Sequence, residues 1–356
     1  MALYERRRRR TSTNIIRGSV LFVFLGLIIL VIVIFKFYGR IFEPNVSLDE
    51  AYVIFYVGPG SDYETVLGNL ADQDILINQR AFDWIAEKKE YPSNIKPGRY
   101  RITDGMTNNE LVNMLRSGKQ DPVMVVFNNV RTLEELAGKV SGYILPDSAE
   151  IAAFLADPAV AERYGFTEKN FSSMFIPNTY EFYWTADPED FTDRMKSEYE
   201  RFWEGERDRK AGALEMTRTE VITLASIVDE ETLHDEENAR IAGVYLNRLE
   251  QGIPLQADPT LRFALGDFTR KRILNQDKNL DSPYNTYKFK GLPPGPISIP
   301  SISAIDGVLN YEKHNYLFFC AKDDFSGYHA FARTLAQHNR NARAYQSALN
   351  KASIYR

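Results

Sequence analysis

The chain has 356 residues, of which 44% are hydrophobic and 26% charged, which excludes a disordered or collagen-like protein. Its single cysteine, Cys320, excludes an internal disulfide and a cysteine-rich zinc site. Residues 1–40 hold eight Lys or Arg and one acid, whereas the remainder holds 35 basic and 47 acidic residues. Because this acidic remainder would repel phosphate, we expect no nucleic-acid partner.

An apolar segment near the N-terminus predicts a membrane anchor. Residues 20–35 are hydrophobic apart from Gly26, and about 20 such residues can cross a hydrocarbon core as a helix. Arginines at 6–10 precede the segment, and no small-residue cleavage site follows it, which disfavours both a buried core helix and a removable signal peptide. We predict a cytoplasmic basic tail at 1–18 and an uncleaved inner-membrane helix at 19–39, with the rest outside that membrane.

The next segment predicts a small α+β module at 41–120. Residues 51–57 are rich in β-branched and aromatic residues and precede a Gly-Pro-Gly turn, as expected of a strand. Helices are expected at 61–70 and 79–89, a second strand follows Gly98, and a third helix spans 108–117. The module carries too few clustered polar residues to predict a chemical site.

The following segment is expected to be mainly helical. A strand at 123–127 and a helix at 133–140 precede a helical stretch at 141–216, which is interrupted at 177–180. A cluster of aromatic residues surrounds this interruption. It is more typical of core packing than of a sugar-stacking wall, although both interpretations remain open. Its members are Phe175, Tyr180, Phe182, Tyr183 and Trp184.

Residues 220–232 predict an amphipathic helix that ends in three acids, Asp229, Glu230 and Glu231. Glu231 follows Leu224 by seven positions, nearly two turns, and so continues the apolar face, whereas Glu230 points roughly the opposite way. A carboxyl group there can be a buried general acid, because desolvation raises its pKa. It can also be a helix end whose carboxylate is in solvent. The spacing alone leaves both open.

Polar residues follow a second predicted helix at 238–250 and lie among turn formers. Such residues can present hydrogen-bonding groups to a sugar, or can simply build turns. The candidates are Gln256, Asp258, Thr260, Asn285 and Tyr287.

The sequence predicts neither a metal site nor a cofactor. No two of its four histidines have the helical spacing of metal ligands with a third ligand nearby. Ser226 lies mid-helix without a Gly-x-Ser-x-Gly turn, which disfavours a serine hydrolase. A glycine-rich phosphate loop is also absent from the sequence.

Five motifs, followed by closing His-x-Phe and His-Asn elements, occur in a fixed order in the C-terminal half. Residues 225–232 are similar to an Ala-Ser-Ile-Val-Glu-Lys-Glu-Thr helix, and residues 244–249 to a Val-Tyr-Leu-Asn-Arg-Leu helix. The others are Leu-Gln-x-Asp-Pro-Thr at 255–260, Tyr-Asn-Thr-Tyr at 284–287, Gly-Leu-Pro-Pro-Gly-Pro-Ile at 291–297, and the closing elements of His329, Phe331, His338 and Asn339. Together they resemble the endolytic murein transglycosylase family, also called MltG or YceG-like. Residues 98–101 and 109–111 resemble its LysM-like subdomain.

The resemblance implies an α+β fold with a LysM-like module at 41–120 and a YceG-like catalytic domain at 121–356. Glu231 corresponds to the family's catalytic glutamate, in agreement with the helical-face argument. Asp229 and Glu230 replace the family's Glu and Lys, so the charge around the site is more negative, which would raise the pKa of Glu231 further. The implied substrate-binding residues are Gln256, Asp258, Thr260, Asn285, Tyr287 and His329.

The implied activity is cleavage of the MurNAc–GlcNAc β-1,4 bond inside nascent glycan strands, which leaves a 1,6-anhydro-MurNAc end. One carboxyl group suffices, because the attacking 6-hydroxyl belongs to the substrate. The expected partners are peptidoglycan glycan strands and wall synthases at the membrane. Two alternatives remain: a hydrolysing muramidase with Asp258 as its second carboxylate, and a glycan-binding scaffold without activity.

Overall fold

A computed structural model describes the backbone of residues 2–270 and 273–352, and their side chains from residue 19 onward. The helices are α1 (Ala2–Phe42), α2 (Tyr63–Asp72), α3 (Gln79–Lys88), α4 (Asn108–Ser117), α5 (Leu133–Val140), α6 (Ser148–Ala156), α7 (Pro158–Arg163), α8 (Pro188–Trp203), α9 (Glu206–Ala213), α10 (Arg218–Glu231), α11 (Asn238–Glu250), α12 (Asp258–Leu265), α13 (Ile302–Leu309) and α14 (Leu335–Lys351). Three antiparallel two-stranded sheets pair β1 (Tyr52–Val57) with β2 (Gly98–Thr103), β3 (Val123–Phe127) with β4 (Asn178–Phe182), and β5 (Phe318–Ala321) with β6 (His329–Ala332). The predicted mixed α+β class is confirmed.

Helix α1 contains the predicted apolar segment. Ser19–Phe42 is long and apolar enough to cross a membrane, and the side chains of residues 20–35 are exposed rather than packed in a core. The side chains of the predicted basic tail at 1–18 lie outside the described residues. One N-terminal apolar helix is therefore confirmed, whereas its insertion and orientation remain predictions.

The first of two compact units comprises the chain up to Pro122 together with Tyr183–Thr185. Strand β1 pairs along its full length with β2, so that Phe55 lies opposite Tyr100, and both side chains are fully buried. Helix α4 begins with a capping box between Thr107 and Glu110, which explains its predicted start. The order strand, two helices, strand, helix is the predicted one. Its LysM-like character remains a prediction.

The second unit comprises residues 123–182 and the chain from residue 186 onward. Its central element is α10, which packs against α11 and α13. Residues 221–228 of α10 are all buried, including Thr223 and Ser226, so the helix is enclosed rather than buried along one face. The Ser226 hydroxyl donates to the Thr223 carbonyl and accepts from the Ile297 backbone, which satisfies its buried polar group.

The second unit differs from the expectation around 177–180 and refines it in the aromatic cluster. The interruption at 177–180 ends in a strand, because residues 178–180 begin β4, which pairs with β3 and places Tyr180 opposite Val125. In the aromatic cluster Phe175, Tyr180 and Phe182 are buried, so core packing applies to these three.

The Gly295 loop lies directly on other backbone, because a Cβ there would be 1.9 Å from the Lys169 carbonyl oxygen.

Candidate active site

A cavity of about 400 Å³ opens beside the last turn of α10. It lies entirely within the second unit, between the C-terminal end of α10, helix α11, the start of α12 and the β5–β6 sheet. Five of the seven predicted site residues line it. The polar residues in its wall are Glu231, Tyr245, Arg248, Gln256, Asp258, Arg262, Tyr287, His329 and His338.

Glu231 is the last residue of α10 and has the most perturbed carboxyl group of this cavity. The residue keeps some solvent contact, but protein surrounds the carboxyl group, and this desolvation raises its pKa from 4.5 to about 7. The negative charge of Asp258 raises the pKa further and that of Glu230 contributes less, whereas Tyr245 and Arg262 lower it. Glu231 can therefore be protonated near neutral pH.

Tyr245 on α11 holds the Glu231 carboxyl group in place. Its hydroxyl donates to Glu231 Oε1 at 2.6 Å. Burial and the Glu231 charge raise the pKa of Tyr245 well above its ordinary value, so the phenol stays a donor. A donor to a carboxylate favours the charged form, which explains why this bond lowers the pKa of Glu231.

Tyr245→Phe is expected to raise the pKa of Glu231 above its wild-type value of about 7, because the hydrogen bond that stabilises the carboxylate is lost. The carbon chemical shift of the labelled Glu231 carboxyl, followed through a pH titration, measures the midpoint. Tyr143→Phe, at an exposed tyrosine, is the control and should leave the midpoint unchanged. A lower midpoint in Tyr245→Phe would contradict this role of the contact.

A second carboxylate, Asp258, is the first residue of α12. Tyr287 donates from its hydroxyl to Asp258 Oδ1 at 2.6 Å, and burial together with Asp258 keeps the pKa of that phenol above its ordinary range. Asp258 thus lies in the same cavity as Glu231, and both carboxyl groups accept from a phenol, but Tyr287 is only half-buried whereas Tyr245 is buried.

Gln256 and Arg248 both line the cavity and contact each other. Arg248 is buried, and its guanidinium donates to the carbonyl oxygens of Leu317 at 2.6 Å and Leu255 at 2.8 Å, and to Gln256 Oε1 at 3.3 Å. Gln256 adopts a φ of +54°, in the left-handed region that a residue with a side chain rarely occupies. The Arg248 contacts and the Gln256 backbone bond to the Thr286 carbonyl maintain this conformation.

Thr260 and Asn285 are not brought to the cavity surface. Thr260 is fully buried, and its hydroxyl bonds to the Ala257 carbonyl and to the Thr286 hydroxyl. The Asn285 amide donates to the carbonyls of Lys278 and Leu280, and its oxygen accepts from the Tyr287 backbone. Their polar atoms are occupied by internal bonds, so they shape the loops that carry the cavity residues.

His329 begins β6 and lies between the cavity and a buried glutamate. Its Nδ1 is 2.8 Å from Glu237 Oε2, and its backbone N–H donates to Glu237 Oε1 at 3.0 Å. Glu237 is 4% exposed. The ring of Phe319 contacts His329 edge-on at 5.3 Å and Tyr245 at 5.8 Å, so aromatic packing links His329 to the tyrosine that binds Glu231.

Glu231 also lines a second cavity of about 480 Å³ on the other side of the α10 terminus. The two acids that precede Glu231 also line this second cavity, and each contacts a different partner. Asp229 accepts from the backbone N–H and the hydroxyl of Ser301, the residue that caps α13. Glu230 forms an ion pair with Arg131 at 3.4 Å. Among the three consecutive acids, only Glu231 is shared by both cavities.

Three functional neighbours were not among the predicted site residues. Tyr245 and Arg248 meet other cavity residues through contacts 14 and 8 positions apart in the chain, whereas Glu237 contacts His329 across 92 positions. Tyr245 carried one usable signal, because it lies on the inward face of the predicted helix at 238–250. Glu237 carried none, since an acidic residue in a charged loop is usually solvated.

The described residues contain no group of three or more His, Cys, Asp or Glu side chains that could hold a metal ion. The chemistry available to them is proton transfer at a desolvated carboxyl group beside a second carboxylate and a histidine. A cavity wall with hydroxyl, amide and guanidinium groups is suited to a ligand rich in hydroxyl and amide groups.

Comparisons with known proteins agree on one family. The sequence model of the YceG-like family matches residues 55–344. The chain is 27% identical over 339 residues to the endolytic murein transglycosylase of Bacillus subtilis (strain 168), covering 88% of this chain and 91% of that protein. It is 28% identical over 343 residues to the protein of that name from Streptococcus pneumoniae serotype 2, covering 86% of this chain and 61% of the relative. A crystal structure of a putative yceG-like protein from Listeria monocytogenes has a TM-score of 0.54 and 27% identity, covering 82% of this chain and 98% of that one.

Proposed function

The chain belongs to the YceG-like family, and from this premise we propose that it is a membrane-anchored endolytic lytic transglycosylase of peptidoglycan. The relatives named endolytic murein transglycosylase support the general activity and the substrate class. The finer proposal is that it cleaves the MurNAc–GlcNAc β-1,4 bond within nascent strands and leaves 1,6-anhydro-MurNAc ends.

The observation that carries the proposal is the environment of Glu231. Burial holds its pKa at about 7, and the residue lies between two cavities. A general acid works best when its pKa is close to the working pH, because it is then both protonated and able to release its proton. A glycan strand cut in its interior extends on both sides of the cleaved bond, and a shared residue between two cavities suits that requirement.

In the proposed reaction protonated Glu231 donates its proton to the glycosidic oxygen as the C1–O bond breaks. The resulting carboxylate then receives the proton of the MurNAc 6-hydroxyl as its oxygen bonds to C1. Water does not enter the product, and Glu231 ends the cycle protonated. Tyr245 stabilises the carboxylate between the two steps through its 2.6 Å hydrogen bond.

Gln256, Asp258, Tyr287 and His329 are proposed to bind the sugar, since all four line the cavity of Glu231. The negative charge of Asp258 would also stabilise the oxocarbenium-like transition state. Thr260 and Asn285 are proposed to act indirectly, by fixing the loops that carry Asp258 and Tyr287.

The remaining proposals concern location and organisation. We propose that residues 19–39 span the inner membrane with the tail at 1–18 in the cytoplasm, and that residues 41–120 form a LysM-like module before a catalytic domain at 121–356. Anchoring would raise the effective concentration of the enzyme at new strands and near wall synthases.

Two other functions make different predictions. A hydrolysing muramidase would use Asp258 to activate water, and the position of Asp258 in the Glu231 cavity favours keeping this candidate. A glycan-binding scaffold would bind strands without cutting them.

The full chain in detergent micelles, incubated with long uncrosslinked glycan strands, tests the proposal by mass spectrometry of the new ends. Internal cuts with anhydro ends are expected. Ends heavier by one water would favour the muramidase, and intact bound strands would favour the scaffold.

A further inference from the structure

The contact between His329 and Glu237 fixes which ring nitrogen faces the cavity. Glu237 accepts from the His329 backbone N–H at 3.0 Å and from the Thr232 hydroxyl at 3.3 Å, so its two oxygens act as acceptors. A carboxylate that accepts in this way places the ring proton on Nδ1, which lies 2.8 Å from Oε2. In the neutral ring Nε2 is then a hydrogen-bond acceptor.

Nε2 of His329 makes no hydrogen bond to the part of the chain that the structure describes, and His329 lines the cavity of Glu231. Several other polar side chains there are committed, whereas Arg262 Nε and His338 Nδ1 have no hydrogen-bond partner among the described residues. Tyr245 and Tyr287 donate to carboxylates, and Arg248 donates to carbonyl oxygens. His329 therefore presents an uncommitted acceptor beside the catalytic acid.

The chain also couples this acceptor to Glu231. Thr232 follows Glu231 directly, and its hydroxyl donates to Glu237 while it accepts from the His234 backbone. Glu237 occupies the N-cap position of α11, yet its side chain makes no capping bond and turns to His329 instead. Residues 231–237 thus carry both the acid, Glu231, and Glu237, the carboxylate that orients His329.

We propose that His329 accepts a hydrogen bond through Nε2 from the sugar hydroxyl that attacks the anomeric carbon, and that Glu237 is the positioning residue that sets its tautomer. This inference rests on the proposed function. Holding the hydroxyl close to C1 favours attack by the substrate over attack by water. The hydroxyl has one proton, so it donates to Nε2 while the glycosidic bond is intact and turns to the Glu231 carboxylate once Glu231 has released its own proton. Glu231 then ends the cycle protonated, and the overall proton balance is unchanged.

The test uses the full chain in detergent micelles and measures kcat, KM and the ratio of anhydro to hydrated ends. His329→Asn removes Nε2, whereas its amide can still donate to Glu237 from a position close to that of Nδ1. We expect kcat to fall about 10- to 100-fold with little change in KM, and the hydrated share of ends to rise roughly tenfold. His329→Gln, whose oxygen can reach the Nε2 position, should show smaller changes.

Glu237→Gln tests the positioning role. The amide side chain of this variant would offer one acceptor oxygen where two N–H donors now bind, so the ring is expected to take its proton on Nε2 and lose the acceptor. Its product ratio should shift in the same direction as that of His329→Asn, and the ¹⁵N shifts of His329 should report the tautomer change. Glu236→Gln, at the neighbouring exposed glutamate that contacts Tyr328, is the matched control and should keep the wild-type ratio.

Three results would overturn the inference. The first is an unchanged product ratio in both His329→Asn and Glu237→Gln, and the second is a rise in KM alone. In the third, His329→Gln is as impaired as His329→Asn. If Glu237→Gln does not fold, the two His329 variants decide the outcome. Failure of the proposed function is separate, because the wild type itself would then produce no anhydro ends.

Discussion

Glu231→Gln is expected to lower the rate of glycan-strand cleavage by about 10²- to 10⁴-fold, the range typical of a removed general acid. The amide keeps the shape of the side chain and can still accept from Tyr245, whose hydroxyl lies 2.6 Å from Oε1. It cannot donate a proton to the leaving oxygen, nor take one from the attacking hydroxyl. Since both proposed proton transfers use this one carboxyl group, the loss should appear in kcat.

The measurement is the initial rate of strand shortening by the full chain in detergent micelles. Glu250→Gln, an exposed glutamate in the last turn of α11, is the control and should cleave at the wild-type rate. A Glu231→Gln variant that binds strands and retains more than about a tenth of the wild-type rate would remove Glu231 from the chemistry.

The same substitution should stabilise the folded protein above neutral pH. The folded state raises the pKa of Glu231 from 4.5 to about 7, so between these values it binds more protons than the unfolded state. The free energy of unfolding of the wild type relative to Glu231→Gln is therefore highest below the unfolded-state pKa of Glu231, 4.5. This advantage falls as the pH rises and is fully lost above the folded-state pKa of about 7. The difference amounts to about 3 kcal/mol at most, since the residue keeps some solvent contact.

Chemical denaturation of wild type and Glu231→Gln at about pH 4 and about pH 8 measures this difference. We expect Glu231→Gln to gain relative to the wild type at the higher pH. The comparison cancels the titration of other groups that the two proteins share. An equal difference at both pH values would show that folding does not perturb the pKa of Glu231.

Local patterns predicted most elements of the fold. The helices at 108–117, 133–140 and 238–250 have the observed bounds, because each has an apolar face and the first two also begin at a capping side chain. Capping side chains, such as Thr107 before α4 and Thr132 before α5, accept from the backbone as such signals require. Strand β4 was missed because its pairing with β3 joins residues more than fifty positions apart, which local sequence does not encode.

The helical-face argument selected Glu231 from three consecutive acids, and the structure shows the reason for the difference between them. Asp229 contacts the Ser301 cap and Glu230 pairs with Arg131. The expected rise in the pKa of Glu231 from the charge of Glu230 is present but is smaller than the rise from desolvation and smaller than the rise from Asp258, which that expectation did not include. Sequence could not rank these effects, because they depend on distances across the fold.

Motif membership did not separate side chains that face the cavity from those that build its loops. Asp258 and Thr260 are two positions apart at the start of α12, and only Asp258 lines the cavity. Likewise, Tyr287 lines the cavity, whereas the Asn285 side chain bonds to the backbone of its own loop. The turn-building interpretation therefore applies to Thr260 and Asn285, whereas ligand binding by Asp258 and Tyr287 remains a prediction.

The pH dependence of kcat/KM for strand cleavage by the full chain tests the role of Glu231 most directly, because this quantity reports the pKa of the essential acid in the free enzyme. We expect kcat/KM to fall about tenfold per pH unit above a midpoint near the Glu231 pKa of about 7, and the residual activity of Glu231→Gln to lack this limb. A wild-type profile that falls already from a midpoint near 4.5, or the same limb in Glu231→Gln, would contradict a buried, protonated Glu231 as the acid.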